Sequence, residues 1–458
     1  MPGVSSQEPV SRAAHLTVTS TSSWTLLDMN RYQWTVLFAA WLGWGFDLFD
    51  SLLFNYVAPN AVPTLLGLAR GTPEAGAATL RWTGILTSVL LVGWAAGGVI
   101  FGRVADRLGR TRTMLLTMAL YSLGTAACAF APNIWVLLVF RVVAALGIGG
   151  EWAAGAAMVA EVVPEKRRVE AGALLYTSAS AGVFLATIIT YQIQGVYFRS
   201  NPDVGWRYVF LFGLLPAAVA FVVRMFIREP ERWAQASGKR VPRVADLFAP
   251  EFRRVTLTAT GLALVALVTW WSCNAFIPVV ASGLAARAAV GLPPAEATTL
   301  IEAWKAEATN AFTLGGLIGT LLTIPAAKHL GRRRMYAIYF LGSAASVLAA
   351  FGLSMDPHTR LYMYFPIGLT VFGVFGSFTY YLPELYPTWL RGTGPGFTYN
   401  IGRLVAAIGP FLVGSVAARG TSALDTAMTA LIFVGFVPLA GLFVLPWAIE
   451  TRGRALQD

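Results

Sequence analysis

Apolar stretches of about 20 residues recur almost from end to end of this chain, and they leave it few ways to fold. A hydrocarbon layer of roughly 30 Å is crossed by about 20 residues of α-helix. Inside that layer each backbone N–H and C=O must be satisfied within the segment itself. The runs predict twelve spans, at 34–57, 79–101, 113–130, 134–160, 169–195, 208–227, 255–285, 306–327, 335–354, 359–384, 393–416 and 426–449. Of the 458 residues 56% are hydrophobic and only 12% are charged, a depletion that excludes an ordinary soluble domain. The expected fold class is an all-α membrane protein of twelve transmembrane helices.

A net charge of +11 could signal nucleic acid, but its distribution points elsewhere. With the N-terminus in the cytoplasm, about 23 Lys and Arg fall on the cytoplasmic side and about 8 on the outer side. That is the positive-inside bias, so both termini are expected in the cytoplasm and no nucleic-acid partner is expected. Residues 1–30 lack a basic-then-apolar leader pattern, so the first span is expected to do the targeting. Cys128 and Cys273 both lie in apolar runs and suit small packing residues better than a disulfide or a metal site.

The longest polar break, 228–254, divides six spans from six. A basic, glycine-bearing hairpin, Gly102 to Arg112, joins the second and third spans. A degenerate copy, Lys328 to Arg334, joins the eighth and ninth. The recurrence predicts two pseudo-symmetric six-helix bundles, 34–227 and 255–450, between a tail at 1–33 and a tail at 451–458. Gly147, Gly149 and Gly150, and Gly315, Gly316 and Gly319, read as close helix packing. Pro278, Pro325, Pro366 and Pro410 are candidate kinks.

Ionisable groups at membrane depth need a partner, a wet cavity or a function. Asp47 lies about 13 residues into the first span and Arg141 about 7 residues into the fourth, both roughly 20 Å from the cytoplasm. They can therefore pair, either as a static ion pair or as a proton-coupling site in which the aspartate titrates. Asp50, at i+3, shares that helix face and is either a second proton carrier or a polar lining residue. Arg403, near mid-depth of the eleventh span, suits an anionic substrate group or a pair with Asp47 or Asp50. Arg141 is also expected to contact substrate, and Tyr176, Gln192, Trp271, Asn274, Tyr380 and Asn400 are candidates to complete the cavity.

Two helix junctions share the order acid, proline, arginine: Glu161 to Arg168, and Pro383-Glu384 through Arg391. The bland reading is capping plus topogenic charge. The hairpin 102–112 resembles the signature loop of the major facilitator superfamily, and the chain resembles that superfamily from Trp34 to Glu450. The resemblance implies that Asp106 bridges toward the second bundle. It also implies that Gly102, Arg107, Gly109, Arg110, Glu161, Arg168, Arg332, Glu384 and Arg391 belong to cytoplasmic gates. Gly45-Phe46-Asp47 is similar to a motif of aromatic-acid:proton symporters and sugar porters, and the resemblance extends to sialate and monocarboxylate symporters. Trp44 stands where the aromatic-acid family usually has a further aspartate.

The expectation is thus a monomeric secondary transporter of the bacterial inner membrane, importing a small carboxylate with protons by alternating access. It needs no cofactor beyond the proton as coupling ion. The rivals are a proton-coupled sugar porter, a drug:proton antiporter and a sensor that does not transport. An enzyme is disfavoured: no HExxH or Gly-x-Ser-x-Gly motif occurs, and His15, His329 and His358 are scattered outside the spans.

Overall fold

A computed structural model describes residues 29–108, 110–164, 167–225, 243–387, 389–390 and 393–452. Among them no strand occurs, and twelve helical segments follow the order of the expected spans. They are α1 (Arg31–Leu66), α2 (Pro73–Leu108), α3 (Arg110–Cys128), α4 (Ile134–Val162), α5 (Arg168–Thr190), α6 (Pro202–Phe212, continuing as Leu214–Met225), α7 (Pro250–Ala288), α8 (Pro294–His329), α9 (Arg332–Gly352), α10 (Pro357–Glu384), α11 (Thr393–Ala417) and α12 (Ala423–Trp447). Nine are long and apolar enough, among the described residues, to cross a membrane. Large apolar side chains such as Leu123, Phe433 and Phe443 stand on the outside, whereas Asp47, Arg141 and Arg403 are buried. A surface of this kind is solvated by hydrocarbon rather than water.

Helix ends follow local chemistry. Asn30 starts α1 with a capping box to Gln33, and Gly67 ends it at φ +67°. Asn133 caps α4 by accepting from the N–H groups of Trp135 and Val136. Three of the four candidate prolines coincide with irregular backbone: α7 breaks at Ala275–Phe276 before Pro278, α11 breaks at Ala407 before Pro410, and a π-turn at Gly368–Phe372 follows Pro366. Pro325 lies inside α8 without interrupting it. A second π-turn, Tyr191–Tyr197, extends α5. Most of 228–254 lies outside the described residues; its described end forms a 3-10 turn at Val244–Phe248 before α7.

Small residues set the helix spacing. A Cβ on Gly182 of α5 would fall 2.0 Å from the Gly45 carbonyl oxygen of α1, and one on Gly149 of α4 would fall 2.1 Å from the Trp94 carbonyl of α2. In the second half Gly315 and Gly319 admit the α10 backbone in the same way. The halves meet where α2 packs on α11 and where α5 packs on α8 and α10.

At the end of the molecule bearing the basic loops, the hairpin between α8 and α9 is clasped by the residues after α12. Gly331 takes φ +83°, and a Cβ there would come within 2.7 Å of a Glu450 carboxylate oxygen. That carboxylate accepts from the backbone N–H groups of Arg332, Arg333 and Arg452 at 2.9, 3.1 and 3.0 Å. Burial alone would raise the Glu450 carboxyl; the three N–H donors outweigh it and hold it below the usual carboxylate range.

Two outcomes are expected. Gly182→Val should lower the melting temperature in detergent through overpacking of about 1–3 kcal/mol, whereas Gly76→Ala, which meets open space, should not. A depressed carboxyl contributes stability above its unfolded pKa of about 4.3 and loses it as pH falls through the lower folded value. Glu450→Gln should therefore melt lower than the parent near neutrality, and the gap should close as acid protonates the parent carboxylate.

Candidate functional site

The first acidic residue of α1 looks toward the other half of the chain. Asp47 is fully buried and lies within Coulombic reach of Arg403 on α11. Arg403, 2% exposed, is held between aromatic faces from both halves. Its guanidinium carbon sits 4.2 Å from the ring centre of Trp94 on α2 and 4.5 Å from that of Tyr399 on α11. It also donates to the Asn400 side-chain oxygen at 3.1 Å. Asn400 in turn borders Gly98 of α2, where a Cβ would meet its amide at 3.2 Å.

Around this arginine the aromatic rings of both halves close up. Trp44 packs on Trp94 and Tyr176, Trp94 meets Trp271 edge-on at 6.0 Å, and Tyr176 stacks on Phe375 at 6.1 Å. Tyr176, Trp271 and Asn400 thus gather near Arg403 as the sequence suggests. Asn274 is buried where α7 breaks.

The second acid serves a different arginine. Asp50 accepts from the Thr125 hydroxyl of α3 at 2.7 Å and interacts with the charge of Arg141. Arg141, 1% exposed on α4, donates to the backbone carbonyls of Asp50 and Ser51 at 3.4 and 2.9 Å. The sequence expectation sets Asp47 opposite Arg141; the bonds of Arg141 fall one step further along α1. The Asp50–Arg141 contacts join helices of one half, whereas Asp47 and Arg403 act on each other through their charges across the two halves.

A family model described as the Major Facilitator Superfamily matches residues 34–410. The chain belongs to the Major Facilitator Superfamily. This member is a multi-pass membrane transport protein and not an enzyme. A Haemophilus influenzae protein assigned to metabolite transport is 30% identical to it over 434 residues, 93% of this chain and 99% of that one. The cis,cis-muconate transport protein of Acinetobacter baylyi is 27% identical over 425 residues, 89% and 94% of the two chains. In fold it is similar to the xylose transporter of E. coli in a partially occluded inward-open conformation, with a TM-score of 0.72 at 17% identity over 93% of this chain and 100% of the other.

Of the repeated loop and junction motifs, more side chains are described in the second copies. Arg332 at the start of α9 donates to Glu384 of α10 at 2.8 Å, and Thr451 donates to the same carboxylate at 2.6 Å. Between the halves, Lys328 of α8 reaches Glu170 of α5 at 2.5 Å, and Glu170 also pairs with Arg167. Gly102, Asp106, Arg107 and Arg110 lie where α2 passes into α3, and Glu161 and Arg168 border the α4–α5 junction. The side chains of Asp106, Arg107, Arg110, Glu161 and Arg168 lie outside the described residues, as do Gly109 and Arg391 entirely.

Two cavity candidates are corrected. Gln192 is exposed; the π-turn at Tyr191–Tyr197 changes the angular step of the helix and carries Gln194, not Gln192, into the interior. Tyr380 is buried away from Arg403: its hydroxyl donates to the Thr323 carbonyl at 3.4 Å, and its ring lies under Arg332 beside the Glu384 pair. The tyrosine of the second half that packs on Arg403 is Tyr399. Sequence reasoning missed Trp94, Tyr399, Thr125 and Glu170. Tyr399, four residues before Arg403 on the same helix, carried the one usable signal.

The cross-half pair makes a prediction that requires no substrate. Arg403→Gln removes an opposite charge within reach of the buried Asp47 carboxylate and should lower the melting temperature. Asp47→Asn combined with Arg403→Gln should recover much of that loss. Additive losses in a double-mutant cycle, read by thermal unfolding, would argue that the two do not interact.

Proposed function

We propose that this chain is a proton-coupled symporter that imports a small organic anion, a carboxylate, across the bacterial cytoplasmic membrane. The observation that carries the reading is Arg403, clamped between Trp94 and Tyr399, with Asp47 facing it from the other half. A planar guanidinium offers a carboxylate two parallel donors, and the surrounding rings suit an apolar or aromatic substrate body. The name of the muconate relative is in keeping with that substrate class.

Coupling follows from charge balance. Asp47 and Arg403 together are neutral. An entering carboxylate that takes the guanidinium leaves Asp47 ionised in a low-dielectric site, which raises its affinity for a proton. One proton restores neutrality, so substrate and proton enter together and neither is favoured alone. Arg403 keeps its charge throughout, because arginine does not deprotonate at working pH. Asp50, held by Thr125 and facing Arg141, is the second group able to take a proton. Arg141 then acts on substrate through the field it adds near the first half of the site.

The excess of Lys and Arg on one side sets that face toward the cytoplasm, with both termini there, and the rocking of one half against the other gives alternating access. The proton is the coupling ion and no further cofactor enters the scheme. A monomer suffices, since both halves of the site come from one chain.

Purified protein in proteoliposomes loaded with a pH-sensitive dye provides the test. A panel of monocarboxylates, aromatic acids, sialic acid and neutral sugars should give inward proton flux with acids only. Asp47→Asn should abolish acid-driven proton movement, and Arg403→Gln should abolish carboxylate uptake. Flux with neutral sugars alone, unaltered by Arg403→Gln, would place the protein among sugar porters.

A further inference from the structure

Far from Arg403, at the end of the molecule opposite the basic loops, α8 carries a second set of charges. Glu302 and Lys305, at i,i+3, form an ion pair of 2.6 Å with their side chains only 1% and 3% exposed. The polar contacts of this pair run to the first half of the chain. Lys305 donates to the Tyr56 carbonyl of α1 at 2.9 Å, and Glu302 accepts from the Asn60 amide of α1 at 2.9 Å. That amide also donates to Gln194, which the π-turn of α5 turns inward. One turn away on α8, the Thr299 hydroxyl donates to the Gly195 carbonyl at 3.1 Å. Gly195 is needed for the approach, because a Cβ there would stand 2.9 Å from that of Glu302. A small cavity adjoins the pair, lined by Tyr56, Thr187, Thr190 and Tyr191.

We propose that Glu302–Lys305, bridged to Asn60, Gln194 and the Tyr56 carbonyl, is a latch that holds the halves together on this face and must break for the central site to open there. The proposal rests on the alternating-access part of the reading above and on neither the substrate nor the coupling ion. A buried pair of this kind is stabilised only while its remaining donors and acceptors are met, and here the other half meets them. Parting the halves removes those partners together, so release is cooperative, and it proceeds when water enters to solvate the charges.

Among the described residues, an ion pair between the halves also occurs at the other end, and it is of a different kind. Lys328 is 44% exposed where it reaches the largely buried Glu170, so water screens one partner and lowers the contribution of that pair. The latch therefore favours the empty protein closed on the Glu302 face.

The test uses thiol accessibility in the full chain with Cys128→Ser and Cys273→Ser and no substrate present. Thr187→Cys places the probe beside the latch, and a membrane-impermeant maleimide is added from that side. Alkylation should be slow in this background and about tenfold or more faster with Asn60→Ala, which removes a hydrogen bond to a charged group and leaves the ion pair intact. Lys305→Met should accelerate it as well. Unchanged labelling in both variants overturns the latch, whereas acceleration by Lys305→Met alone assigns the pair to α8 packing and equally overturns it. Loss of carboxylate-driven proton flux with labelling as expected would count against the symport reading and leave the latch standing.

Discussion

A charge placed in hydrocarbon must be balanced by another part of the same protein, and the interior of this transporter is organised by that requirement. Its buried groups are met in two ways. Asp50 and Arg141 are matched within the first half, through Thr125 and the carbonyls of α1. Glu302 and Lys305 are matched across the halves by Asn60 and Tyr56, and Asp47 lies within Coulombic reach of Arg403 across the same divide. The first kind fixes a bundle internally. The second makes the relative position of the halves an electrostatic variable, so any event that supplies or removes a charge shifts the balance between conformations.

Glycine makes the geometry possible. The motif around Gly45 is legible in the sequence as a family signature, and its physical content is the approach of Gly182, which lets α5 lie against the backbone of α1 next to Asp47. The same helix then brings Tyr176 against Trp44 and, through its π-turn, Gln194 against Asn60. One tightly packed helix pair therefore sets the register of both the central site and the latch on the far face.

The order and approximate limits of the spans could be read from hydrophobicity, because the backbone has no alternative in a bilayer. The finer arrangement could not, for three reasons. Depth counted along a helix does not separate Asp47 from Asp50, which differ by one step on the same face, so the choice of arginine partner is beyond its precision. Gln192 was expected inside on the assumption of a regular α-helical step, and the π-turn broke that assumption. Glu302 and Lys305 fall between the seventh and eighth expected spans, because the eighth apolar run begins at 306, whereas α8 itself begins at Pro294. Its Pro293-Pro294 start followed by Glu296 was an available sign of an earlier N-terminus. Arg403 is legible as a charge within an apolar run and Tyr399 as its neighbour one turn away, but Trp94 on its other side comes from a helix distant in sequence.

The clasp at Glu450 joins four helix ends into one piece. Its carboxylate holds the start of α9, Thr451 binds Glu384 at the end of α10, Arg452 donates to the His329 carbonyl at the end of α8, and Arg333 returns bonds to the Leu445 and Pro446 carbonyls in the last turn of α12. Such a cross-braced corner transmits displacement rather than absorbing it. Bending within the second half is left to places where the helices are already interrupted, at Ala275–Phe276, Ala407 and the π-turn at Gly368–Phe372. The basic end of that half is built as a lever, and its compliance lies near the level of the aromatic rings.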